Sequence, residues 1–217
     1  MDDKQAQKDN LLGKKRGPYK TGIERQKLIL EATQKIFIED GYHNFSFRKV
    51  AKSVGISPGN LQHHFATRDE LVAAMLDYVI GGYMEEIDAL KRDSDSPKEY
   101  LLHVLQHIIR DLQTRETTLF FPELWSLSNH EESVDVLMQN MYEKYRTVYA
   151  AIAIQINPQL TQVQANTIAF FISCSIEGHT VFIGHRKPHH DMCELTIKII
   201  YSTSLSMIES GDIPVFD

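Results

Sequence analysis

No run of eighteen or more uninterrupted apolar residues occurs in the chain, which argues against a membrane-spanning helix. The opening MDDKQAQKDN is too polar for a secretory signal, so a cytoplasmic location is expected. Cysteine is scarce. Cys174 and Cys193 stand far apart and form no CxxC pair, which argues against a disulfide framework and suggests two buried structural thiols in a reducing compartment. The phosphate-cradling P-loop, the GxGxxG turn and the GxSxG nucleophile elbow are all missing, so neither catalysis nor a cofactor has sequence support. His189 and Cys193 have the i, i+4 spacing of metal ligands and lie near His185 and His190. No further ligand of recognisable spacing adjoins, and the segment reads as a loop of solvated histidines. Beyond residue 90 no period-2 alternation is long enough for a sheet, and no internal repeat is evident.

Positive charge is short as well. The 217 residues carry 23 Lys and Arg against 29 Asp and Glu, a net −6 that has the wrong sign for a nucleic-acid binder. The deficit is uneven: residues 1–70 hold 13 basic and 9 acidic groups (+4), residues 71–217 hold 10 and 20 (−10). Lys14, Lys15, Arg16, Lys20, Arg25 and Lys27 crowd the segment KKRGPYKTGIERQK, where Gly17, Pro18 and Gly22 oppose a helix until about Thr21. Residues 1–20 are therefore expected as a flexible basic arm, able to lie along phosphates or enter a minor groove, with an ordinary solvated tail as the plain alternative.

The segment Ser46 to Phe65, SFRKVAKSVGISPGNLQHHF, is the most informative in the chain. Ser46 can cap a short helix whose apolar positions Val50, Ala51 and Val54 share one face. Gly55 suits a left-handed stop and Ile56 the hydrophobic anchor after it. Ser57 and Pro58 restart a helix at once, with Leu61 and Phe65 turned inward and Gly59, Asn60, Gln62 and His63 outward. The pattern is a helix-turn-helix with a polar second helix shaped for the DNA major groove. Upstream, Ile29, Ala32, Ile36 and Phe37 repeat at helical spacing until Gly41, and downstream TRDE at Thr67 to Glu70 opens a long helix through about Leu90.

Over about Ile23 to Leu76 these motifs resemble the N-terminal domain of TetR-family transcriptional regulators. They comprise a helix closed by glycine, a short basic helix, Gly-Ile-Ser, Gly-x-Leu-x-x-His-Phe and an acidic start to a fourth helix. The resemblance implies that Arg48, Asn60 and His63 meet bases. Ser46, Ser57, Gln62, Arg68 and Lys14 to Arg16 would meet phosphates, with Gly59 close to the DNA. Gln62 replaces the family's usual tyrosine, and glutamine can bond either a phosphate or an adenine edge.

The rest reads as helix after helix. Ser96, Pro97 and Glu99 start one that carries Leu101, Leu105, Ile108 and Leu112, and TLFFPELWSLSN at Thr118 to Asn129 is either a kinked helix or one beginning near Pro122. Glu131 to Ile156 makes a long helix ended by Asn157-Pro158. Thr161 with Gln164 caps another reaching about Gly184, and Met192 to Ile208 forms the last. The fold class is all-α, in three parts: arm 1–20, helix-turn-helix domain 21–66, and a helical effector-binding and dimerisation domain 67–217.

By resemblance, the last two long helices pair with their mates in a homodimer, and a two-fold dimer also suits a palindromic operator in double-stranded DNA. Phe120, Phe121, Leu124 and Trp125, then Met141, Tyr142, Tyr145 and Tyr149, with Glu177, offer an aromatic wall for a small-molecule effector. Aromatics at this spacing equally suit plain core. The expectation is an effector-released DNA-binding regulator of the repressor type. The alternatives are a helical small-molecule- or metal-binding enzyme with a structural helix-turn-helix, and a DNA-organising protein without effector.

Overall fold

The computed structural model describes residues 18–214, among which there are nine α-helices and no strand. The basic cluster Lys14, Lys15 and Arg16 lies outside the described residues. The first helix, α1 (Pro18–Asn44), begins three residues before the expected Thr21. A proline in a first turn lacks only an N–H that would go unpaired there, so Pro18 starts the helix instead of opposing it. Gly41 does break the run: its φ of 69° is non-helical, and it sets off a last turn through Asn44.

The helices α2 (Phe47–Ser53) and α3 (Pro58–His64) follow their sequence signals closely. Ser46 Oγ accepts from Lys49 N at 3.3 Å and Ser57 Oγ from Asn60 N at 3.1 Å. Between them the chain closes a Schellman turn. Gly55 has φ 68°, Gly55 N donates to Lys52 O, and Ile56 N donates to Ala51 O at 2.9 Å. Leu61 and Phe65 are buried against Val50 and Ala51. Thr67 then caps α4 (Arg68–Arg92), while Glu70 reaches back to Ala66 N at 2.8 Å.

The remaining helices are α5 (Pro97–Asp111), α6 (Arg115–Ser128), α7 (Glu132–Ile156), α8 (Gln162–Ile183) and α9 (Cys193–Ser210). Pro122 lies inside α6, which settles the open alternative: Thr114 caps the helix at its start, accepting from Thr117 N, and the proline is carried midway. The capping box of Thr161 and Gln164 forms as expected. Cys193 is buried, but Cys174 is exposed on α8, contrary to expectation. The helix around it carries apolar side chains that no other described residue covers.

Two cores divide the molecule, and the division does not fall at residue 66. One holds Ile87 of α4 with α5, the later part of α7, α8 and α9. The other joins α1, α2, α3 and the first half of α4 to Phe120, Phe121, Leu124 and Leu127 of α6 and to Val134 and Met141 of α7. The rings of Phe37 and Phe120 lie 5.5 Å apart across this junction. Aromatic contacts of this kind hold the head firmly on α6.

Candidate nucleic-acid interface and interior cavity

The surface of the helix-turn-helix is set by what its core takes away. Leu61 and Phe65 turn inward, which leaves Ser57, Gly59, Asn60, Gln62 and His63 exposed along and before α3 and Arg48 exposed on α2. Each capping serine accepts from a backbone N–H, so its hydroxyl proton remains to be donated outward. Lys52, which the motif does not single out, lies one turn from Arg48 on α2 and is exposed. The i, i+4 spacing of the two was its only sequence signal. Arg68, expected at a phosphate, is held by neighbours within the head. Its Nη2 donates to Tyr42 O at 2.8 Å, and its guanidinium lies 3.9 Å over the Tyr42 ring and 5.5 Å from the Phe45 ring centre. It ties the start of α4 to the turn between α1 and α2.

A second site lies in the body, where α4, α5, α6, α7 and α8 enclose a cavity with about 30 Å³ free, room for about one water molecule. Its wall is polar in an unusual way. Tyr83, Tyr142, Tyr145 and Tyr149 face it together with Asp111 and Glu177, beside apolar Ile108, Leu112, Phe121 and Ile176. Tyr83 Oη donates to Asp111 Oδ2 at 2.6 Å, and Thr117 Oγ1 donates to the same oxygen at 2.5 Å. Trp125 Nε1 donates to Tyr142 Oη at 2.8 Å. Burial lifts the Glu177 carboxyl from an ordinary 4.5 to about 7, and the Tyr142 hydroxyl beside it offsets only part of that rise. Its Oε2 is buried without a hydrogen-bond partner, as is Ser173 Oγ on the same wall. Burial also pushes the tyrosine hydroxyls up, with the nearby carboxylates adding to the effect.

Comparison with known proteins bears on the first site. Residues 29–75, from mid-α1 into α4, match the model of the bacterial regulatory proteins of the tetR family. The HTH-type transcriptional regulator PksA of Bacillus subtilis is 34% identical over 102 residues, 47% of this chain and 48% of that protein. UidR of Escherichia coli K12, also an HTH-type transcriptional regulator, is 44% identical over 48 residues, 22% and 24% of the two chains. The matched region thus spans about half and a quarter of these relatives' lengths. The crystal structure of a TetR transcription regulator from Haloarcula marismortui shares the fold, with a TM-score of 0.70 and 19% identity over 87% of this chain and 98% of that one. Residues 29–75 form a TetR-family N-terminal domain.

Within this TetR-family fold the expected effector residues separate into two groups. Phe121, Tyr142, Tyr145, Tyr149 and Glu177 do line the cavity. Phe120, Leu124 and Met141 do not: they are buried in the core shared with the head, because their side of α6 and α7 faces α1 and α4. Trp125 stands one layer behind the wall, touching it through Tyr142 and the ring of Phe121. Tyr83, Asp111, Thr117 and Ser173 complete the wall from positions that the aromatic pattern did not single out. Among the described residues no group of three or more His, Cys, Asp and Glu converges on a metal position.

Proposed function

We propose that this protein is a transcriptional repressor that binds a palindromic operator as a homodimer and is released by a small molecule taken into the interior cavity. The observation that carries the DNA-binding part is the polar, exposed face of α3 held rigidly over buried Leu61 and Phe65, with Arg48 and Lys52 beside it. Arg48 can fork onto a guanine, Asn60 suits an adenine edge, and the two serine hydroxyls suit phosphates. The basic arm would add sequence-independent affinity.

Support for the homodimer comes from α8 and α9. Val163, Phe170, Val181 and Phe182 of α8 and Leu195 and Ile199 of α9 are exposed large apolar side chains, with Phe170 at 59% and Phe182 at 57%. A stripe of this kind is costly in water and suits a second copy related by two-fold symmetry.

Release follows from the two faces of α6. Phe121 and Thr117 touch the cavity, while Phe120 packs on Phe37 and Glu123 Oε2 accepts from Tyr42 N at 3.3 Å. A ligand larger than the free space must part the helices, and a shift of α6 is carried to the head. It acts through unequal affinity for the two arrangements. Gel-shift and footprinting on DNA upstream of its own gene test the reading. A symmetric footprint at nanomolar protein supports it, and binding no tighter than to random DNA overturns it.

A further inference from the structure

We infer that the effector of this site is an organic cation, an amine or quaternary ammonium on an apolar body, admitted through the acidic cleft between α1 and α4 that Asp111 of α5 closes. This rests on the cavity being the effector site proposed above. Four tyrosine rings and two carboxyl groups, Asp111 and Glu177, face one small space, and among the described residues no Lys, Arg or His lines it. Aromatic faces attract cations, and desolvated carboxylates call for a counter-charge. Asp111 is already served by two hydroxyl donors, but Glu177 Oε2 is buried without a hydrogen-bond partner. A cation in the cavity supplies the counter-charge that this oxygen lacks, and an amine with an N–H supplies a hydrogen bond as well.

The way in has the same sign. On the far side of Tyr83 and Asp111 an open cleft is lined by Asp77, Glu85, Glu86 and again Tyr83 and Asp111, with Lys27 its one basic side chain among the described residues. Lys27 lies 3.8 Å from Glu31, and Glu86 lies 2.9 Å from His107 Nε2. Tyr83 and Asp111 belong to both spaces, so their hydrogen bond is the partition between cleft and cavity. Fixed negative charge at the mouth of such a cleft concentrates cations there and repels anions.

Charge also dictates how binding responds to pH. The groups facing Glu177 are Tyr142, Tyr145 and Tyr149 of α7, Tyr83 of α4 and Asp111 of α5, and α6 contributes none that is ionisable. The tyrosines, pushed above their ordinary value, stay neutral near pH 7. Glu177, lifted to about 7, changes charge there. A cation favours the ionised form, so binding expels a proton near neutrality and tightens as pH rises from 6 to 8.

The test uses the full chain, benzyltrimethylammonium and its uncharged carbon isostere neopentylbenzene, titrated by calorimetry in two buffers of different ionisation enthalpy. The expected result is cation binding at least about tenfold tighter than isostere binding, with proton release at pH 7. Glu177→Gln should lose on the order of tenfold for the cation, lose the pH dependence and leave the isostere unaffected. Equal binding of the two probes, no binding of the cation, or a flat pH profile in the unsubstituted protein overturns the inference. The last measurement needs no variant and stands even if Glu177→Gln folds poorly. Operator binding is measured separately without either probe: its absence refutes the regulator reading, whereas its presence beside an indifferent cavity refutes only the cation.

Discussion

Glu177 is the residue at which burial and charge conflict most openly. Its folded pKa, about 7 against an ordinary 4.5, means that the protonated form is the better tolerated one. Its contribution to stability is therefore complete below about pH 4.5 and is lost as pH rises through 7. Glu177→Gln should leave the melting temperature nearly unchanged at pH 5 and raise it at pH 8, by on the order of 3 kcal/mol of stability at most. Equal shifts at both pH values would show that the carboxyl is solvated. At the DNA face, Arg48→Ala should cost about 1–3 kcal/mol on the preferred operator and relax its sequence preference, measured by competition gel shift. Equal loss on random DNA would make Arg48 a phosphate contact. What sequence could tell about these residues differs by site. Asn60 and His63 are legible because a two-helix motif fixes their direction within a few residues. Tyr83 and Asp111 are not, because they meet Glu177 only through packing between helices separated by dozens of positions. The contacts of Arg68 were hidden for a related reason: a surface arginine and one clamped over Tyr42 look alike in sequence.

At the scale of the element, the local signals were nearly sufficient. Ser46, Ser57, Thr67, Ser96 and Thr161 each cap the helix that follows them, since a hydroxyl beside free N–H groups acts within four residues and needs no tertiary partner. The faces of α6 and α7 were harder, because both carry apolar groups nearly all round, and only neighbours decide that Phe120 meets the head and Phe121 the cavity. Gly184, at the end of α8, shows how tight one such contact is. A Cβ there would stand 2.7 Å from Thr118 Oγ1 and 2.8 Å from the Thr180 carbonyl. The same Thr118 hydroxyl accepts from His185 N and donates to Leu112 O, so it has no room to withdraw. Gly184→Ala should destabilise by about 1–3 kcal/mol, read as a lower midpoint in urea with an unchanged slope. An unshifted midpoint would mean that the end of α8 yields freely.

For the whole molecule, the uncovered stripe on α8 and α9 is the feature that a single chain leaves unresolved. Phe170→Glu and Phe182→Glu, both on exposed positions, should fold normally yet weaken self-association on the order of 30-fold or more in sedimentation equilibrium. Unchanged association would place the interface elsewhere. Removing residues 1–17 should flatten the salt dependence of operator binding by roughly 0.9 in the log–log slope for each phosphate that the arm neutralises. An unchanged slope would make the arm a bystander.

The core that runs from α1 through Phe37 and Phe120 into α6 and α7 has a consequence for anyone recombining such proteins. A cut at the end of the helix-turn-helix would leave Phe37 of the head and Leu71 and Met75 of the body facing water. A hybrid sensor made by exchanging heads at that point would inherit a mismatched seam. The transplantable unit includes the sides of α6 and α7 that face the head, so new pairings of DNA target and chemical signal should be built by grafting at the cavity wall.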